Sequence, residues 1–184
     1  SNYNKNLNEK FKLNISSTFQ SSPTYLKRTA PKNILNQDLS LSSSIYLNGY
    51  NLRKFDDELN FQIVGYQVVK KDDDNGTSPT ALPYIKYNSG YNNFKNIEYN
   101  NRTSFYNIVR DKNTDLLSKR QQKISNNLNT DYEIYKLNSK INFKSEFLFQ
   151  GYHTENKKIG TQNYSGYYTR VFPMNGVYIS TPIN

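Results

Sequence analysis

Phe61 to Pro79 reads FQIVGYQVVKKDDDNGTSP, and its first half decides the fold. With Leu59, the residues Phe61 and Ile63 alternate with polar neighbours; Val64, Tyr66 and Val68 then alternate in the opposite phase. Period two is the mark of a strand. The phase change beside Gly65 implies a bulge, or a central strand covered on both faces. The second half raises a separate question, whether Asp72, Asp73 and Asp74 hold a cation. An EF-hand loop needs D-x-[DN]-x-[DN]-G and a bidentate glutamate at position twelve. With its glycine on Gly76, Asn75 and Asp73 take ligand positions, but position one is Lys71 and position twelve is Leu82. A cation stands where an anion is needed and the bidentate ligand is missing. Asn75-Gly76 is therefore read as a tight turn, kept in water by the aspartates and partly neutralised by Lys70 and Lys71. No metal site is assigned.

Other segments repeat the short-strand pattern. FKLNISSTF places Phe11, Leu13 and Ile15 on one face, so residues 1–10 are expected as a flexible arm and 11–184 as a single β-rich domain. A strand so near the terminus is available for pairing at a sheet edge or with another molecule. Ser16 to Ser44 is rich in Ser, Thr, Pro and Asn and reads as extended loop, with a short strand at Leu39 to Leu41. Residues 81–110 hold YIKY, NFKNIEY and SFYNIV and resemble a meander. In YEIYKLNSKINFKSEFLFQGY, Ile141, Phe143, Phe147 and Phe149 share one parity, with Lys144 and Glu146 opposite. Asn48-Gly49 and Asn175-Gly176 are hairpin signals, and Pro173 confines its arm to an edge or a bulge.

One segment reads as helix. Leu117, Ile124 and Leu128 stand at helical spacing beside Leu116, Thr114 is placed to cap and Asp115 suits the first turn. These signals predict a helix over about 114–127. The expected architecture is mainly β: an antiparallel β-sandwich-like domain with that one short helix.

Composition narrows the function classes. The chain of 184 residues has a net charge of +9, with 17 Tyr, 10 Phe and 28 Asn. Its aromatic content argues against disorder despite strong polarity. Asn, Lys, Ile and Tyr rising together is what AT-rich coding produces. Without Cys there is no disulfide, thiol catalysis or Cys-ligated zinc. No apolar run approaches ~18 residues, so no membrane span is expected. No signal peptide is read at the start, and the first residue is Ser, consistent with a processed or internal boundary.

Chemistry is sparse. His153 is the only histidine and stands in the polar context QGYHTENKK, read as an exposed loop without a G-x-S-x-G partner motif. Asp56, Asp57 and Glu58 are the candidates for carboxylate chemistry by proximity, with strand geometry allowing Asp56 and Glu58 to share a face, though they more simply mark the solvated start of a strand. No phosphate-binding glycine loop is present. Four N-x-[ST] sequons, at Asn14, Asn75, Asn101 and Asn163, are what this Asn content yields by chance. The expectation is a non-enzymatic structural or assembly subunit of a virion, extracellular filament or surface assembly, outside the cell or on a virion. It would need no cofactor and would contact copies of itself or other subunits. Phe11, Leu13 and Ile15 would serve that contact, as would the rings of Tyr164, Tyr167 and Tyr168. The alternative is a polyanion- or carbohydrate-binding module using Lys119, Arg120, Lys123, Lys157 and Lys158. A hydrolase using acidic residues is the lesser alternative.

Overall fold

A computed structural model of the chain describes residues 1–19, 40–53, 56–68, 75–113 and 118–181. Nine strands lie within them: β1 Asn2–Asn6, β2 Phe11–Ser16, β3 Ser40–Tyr50, β4 Glu58–Val68, β5 Thr80–Phe94, β6 Ile97–Val109, β7 Arg120–Lys136, β8 Ser139–Ile159 and β9 Gln162–Ser180. They form one sheet in the order β1 to β9, each strand antiparallel to the one before. The fold is mainly β, as the alternating sequence requires. It is a simple meander, so each strand pairs with its sequence neighbour and no connection crosses the sheet.

The strands lengthen along the chain, to 17 residues in β7, 21 in β8 and 19 in β9. Strands in soluble domains are commonly only about five or six residues long. The two ends of the sheet also differ. At one end the connections are residues 7–10, 51–57, 95–96 and 137–138; at the other they are 17–39, 69–79, 110–119 and 160–161. Short turns thus gather at one end, and all but one of the long connections at the other.

Several expectations need correction. Residues 120–127, expected as helix, are the first part of β7. The spacing of Ile124 and Leu128 caused the misreading, because a step of four fits a period of two as well as 3.6. Pairing on both sides settles it: Ile124 lies opposite Phe105 and Gly151. Thr114 to Leu117, with the expected cap, fall outside the described residues. Among the described residues there is one sheet and no second layer of a sandwich. The bulge lies in β5, where Gln62 pairs with Tyr84 but Val64 with Ala81, leaving Leu82-Pro83 as the irregular step. Proline suits that position because it has no N–H to give to the ladder. Residues 1–10, expected as an arm, contain β1.

The Asn-Gly pairs divide. Asn75-Gly76 does fall in the β4–β5 connection, in a short 3-10 turn, while Asp72 to Asp74 lie outside the described residues. Asn48-Gly49 and Asn175-Gly176 are inside β3 and β9 instead of at hairpins. Aromatic rings cover those glycines. A Cβ on Gly49 would meet the Phe11 ring at 2.9 Å, and one on Gly176 would meet the Tyr178 ring at 3.1 Å. The actual tight hairpin between β7 and β8 turns on Leu137 and Asn138, both at positive φ, the geometry of a type I′ turn.

Gly90 is a real backbone requirement. Its φ is +65°, and a Cβ there would lie 2.8 Å from the Asp56 carbonyl oxygen. Asn100 Nδ2 donates to the Gly90 carbonyl at 2.8 Å and to Asn88 Oδ1 at 2.7 Å, pinning the second irregularity of β5. Gly90→Ala is expected to destabilise the sheet by more than about 1 kcal/mol. Chemical denaturation measures it, with Gly160→Ala, where open space surrounds the site, separating φ strain from crowding.

Candidate functional site

Residues paired across strands share a face, so the register sorts every strand side chain. On one face stand Phe11, Leu13 and Ile15 of β2, with Ile15 beside Ile45 and then Ile63, and Leu13 beside Leu47 and then Phe61. Farther along the same face, Ile97, Tyr132, Phe143 and Val177 form one cross-strand row. Ile141, Phe147 and Phe149 continue the face along β8. Charged residues on this side of β2–β9, such as Arg120, Lys136 and Glu155, stand only near strand ends. Nothing among the described residues covers the face. Among the described residues no hydrophobic side chain is buried, and Phe147 is 44% exposed, Val177 59% and Ile179 68%.

Several polar groups on this face pair sideways. Asn126 Nδ2 donates to Asn101 Oδ1 and to Thr103 Oγ1, both at 2.8 Å. Ser145 Oγ donates to Asn175 Oδ1 at 2.6 Å. Near the end with long connections, Gln122 Oε1 meets His153 Nδ1 at 3.1 Å, and the His153 ring stacks on Tyr167 at 4.3 Å. His153, expected in an exposed loop, is therefore a half-buried strand residue, and no carboxylate converges on it.

The opposite face is polar and charged. Lys144 Nζ meets Asp131 at 3.3 Å, Lys140 Nζ meets Glu133 at 2.5 Å, and Asn127 donates to Glu146 at 2.7 Å. A hollow of about 620 Å³ opens on this side, lined by Tyr91, Glu98, Arg102, Asp131, Lys144, Glu146 and Tyr178 among others. The hollow gathers side chains from β5 to β9 on the polar face.

The sequence candidates separate between these surfaces. Tyr167 is on the apolar face, whereas Tyr164 and Tyr168 are on the polar one. The basic candidates gather at one end of β7 and β8 but serve different neighbours. Arg120 pairs with Glu155 at 3.4 Å, Lys123 lies over the Tyr152 ring, Lys157 stands opposite Tyr164 and Lys158 opposite Asn163. Lys119 precedes β7, and its carbonyl accepts from Arg110 N–H at 2.8 Å. Asp56 sits in a turn at φ 70°, and Glu58 accepts from Asn60 at 3.1 Å.

Two charged groups are buried among the described residues: Asp57, which the sequence offered only as one of three adjacent carboxylates, and Arg110, which it did not single out. Asp57 is 2% exposed and accepts from Leu52 N–H at 2.6 Å, Arg53 N–H at 3.0 Å and Tyr87 Oη at 3.4 Å. It folds the β3–β4 connection onto the sheet. Arg110 is 6% exposed and donates to the Ser118 carbonyl and to Gln121 Oε1, each at 3.1 Å, closing the β6–β7 connection. Burial lowers its pKa from the ordinary arginine value. Neither had a signal in period or motif, since each depends on a loop returning to the sheet. Among the described residues no group of three or more His, Asp or Glu is placed to hold a metal. No protein-family model matches the chain, and no curated protein matches it.

The Lys140 hydrogen bond holds the Glu133 carboxyl below its ordinary pKa, and Glu133 holds Lys140 above its own. The acid side of that stabilisation is present above the unfolded Glu value and lost as pH falls through the lowered one. The basic side is present below the unfolded Lys value and lost as pH rises through the raised one. Lys140→Gln is expected to return Glu133 toward ordinary carboxylate titration, read by NMR of its side-chain carbonyl. An unmoved Glu133 counts against the pairing. Separately, Asp57→Ala should cost about 1–3 kcal/mol by leaving the Leu52 and Arg53 N–H groups unpaired, with increased hydrogen exchange at those amides.

Proposed function

We propose that this sheet is wall of a transmembrane β-barrel, with its apolar face against lipid and its polar face toward an aqueous interior. One observation carries the reading: a continuous apolar face that nothing in the described chain covers, backed by a charged one. A surface of this kind in water would far exceed the apolar patch a soluble monomer tolerates.

Three further features support lipid over a second protein layer. Every strand pairs only with its sequence neighbours, as in up-and-down barrels. Short turns gather at one end and longer connections at the other, the asymmetry of outer-membrane barrels. From Ile141 to Gly151 on β8 the face runs about 34 Å at ~3.4 Å per residue. A strand tilt of ~45° turns that into an apolar band of about 24 Å, near the ~25 Å that such barrels present.

No helix among the described residues is long and apolar enough to cross a membrane. A crossing by strands needs no such run, because each strand alternates between lipid and interior. Lateral pairing of Asn126 with Asn101 and Thr103, and of Ser145 with Asn175, fits the same setting, where water cannot satisfy those groups. Under this reading the sheet would also need a partner strand. Among the described residues β9 pairs only with β8, leaving a 19-residue edge that in hydrocarbon must be met by another strand.

Phe147 and Leu148 are neighbours at one depth on opposite faces, and the chain has no Trp. After reconstitution in vesicles, Phe147→Trp fluorescence is expected to be quenched by brominated acyl chains and protected from iodide, with the reverse for Leu148→Trp. Equal quenching of the two, or a chain extracted from vesicles by urea, sinks the lipid assignment. Phe147→Lys should weaken insertion by about 2–4 kcal/mol.

A further inference from the structure

The polar face carries its two signs of charge at different heights. Toward the short-turn end stand Glu98, Asp131, Glu133 and Glu146, interleaved with Lys140 and Lys144. Toward the long-connection end the register brings Lys86, Arg102, Lys123 and Arg170 onto the same face. On β5 to β9, between the Arg102 row and the Thr154 row, no Asp or Glu shares that face. Lys123 and Arg170 approach one ring, Tyr152, at 5.1 Å and 5.6 Å from its centroid. Tyr106 and Tyr168 flank them in the row Tyr106–Lys123–Tyr152–Tyr168. Tyr152 Oη donates to Gln150 at 2.6 Å, which orients the ring.

Two cations against one ring repel each other, and the ring's quadrupole offsets only part of that repulsion. The arrangement lacks an anion. We propose that the Lys123–Tyr152–Arg170 cluster binds a small soluble oxyanion, a phosphate, sulfate or carboxylate group, with the guanidinium of Arg170 forking onto its oxygens and Lys123 supplying a point charge. Lys86 and Arg102 extend the positive field below it, so an anion entering from the long-connection end meets rising attraction before it reaches the acidic zone. The arrangement is that of cationic rings in anion-selective pores. It rests on the proposed function only in assigning this face to the aqueous interior.

Inorganic pyrophosphate is the probe, titrated calorimetrically into the whole chain in vesicles at fixed ionic strength. Saturable binding is expected, at least about tenfold weaker in the Lys123→Gln/Arg170→Gln double variant, and unchanged in Lys140→Gln from the acidic zone. Circular dichroism and vesicle retention of the double variant separate lost binding from lost folding. No saturable binding by chain that is inserted overturns the site while leaving the lipid assignment intact. Binding insensitive to the double variant overturns it too. A short-chain phosphatidylglycerol is the second probe: its binding, without that of pyrophosphate, assigns the cluster to a lipid headgroup and overturns the soluble-oxyanion proposal. Pyrophosphate binding by chain that fails the tryptophan quenching test keeps the site and removes the membrane reading.

Discussion

A single sheet has two faces, and this chain makes them chemically opposite. Burial of apolar surface is the main favourable term in folding, yet the apolar side chains of β2 to β9 are left against nothing the described chain supplies. The backbone ladder alone does not resolve that, since its net worth per hydrogen bond is small. Whatever covers the face determines whether the sheet is stable at all. Under the proposed reading, a lipid bilayer meets this need without a complementary protein surface.

The same constraint accounts for details that look unrelated. Amides and hydroxyls on the apolar face bond to each other across strands instead of reaching outward. Charged groups on that face are held to strand ends, as with Arg120 and Glu155. Rings lie over Gly49 and Gly176 where a strand would otherwise show bare backbone. On the polar face the opposite rule holds: Lys144 with Asp131 and Lys140 with Glu133 are free to pair in an aqueous setting. The separation of acidic and basic zones along that face gives it a direction.

Much of the fold was legible in the sequence. The alternation in residues 59–68, 11–15 and 141–149 marked β4, β2 and β8, and it did so because side-chain direction in a strand is a local property with period two. The helix over 114–127 failed where two periods coincide, at Ile124 and Leu128. Hairpins were sought at Asn-Gly, but β7 and β8 turn on Leu137-Asn138. In that connection Asn138 suits positive φ, but Leu137 has no preference for it and takes it where the two long strands pair. The burial of Asp57 and of Arg110 was not legible because their partners include backbone groups brought near by loops.

By itself, then, the sequence determined that the chain is β-rich, that its strands are two-faced, and that reactive side chains are few. These follow from composition and from nearest-neighbour geometry. Only the tertiary structure decided that one register runs unbroken from strand to strand, collecting all the apolar faces on one side and all but the terminal charges on the other. That outcome depends on hydrogen-bond pairing between strands, where a slip of one residue exchanges the two faces, and no single strand carries that information.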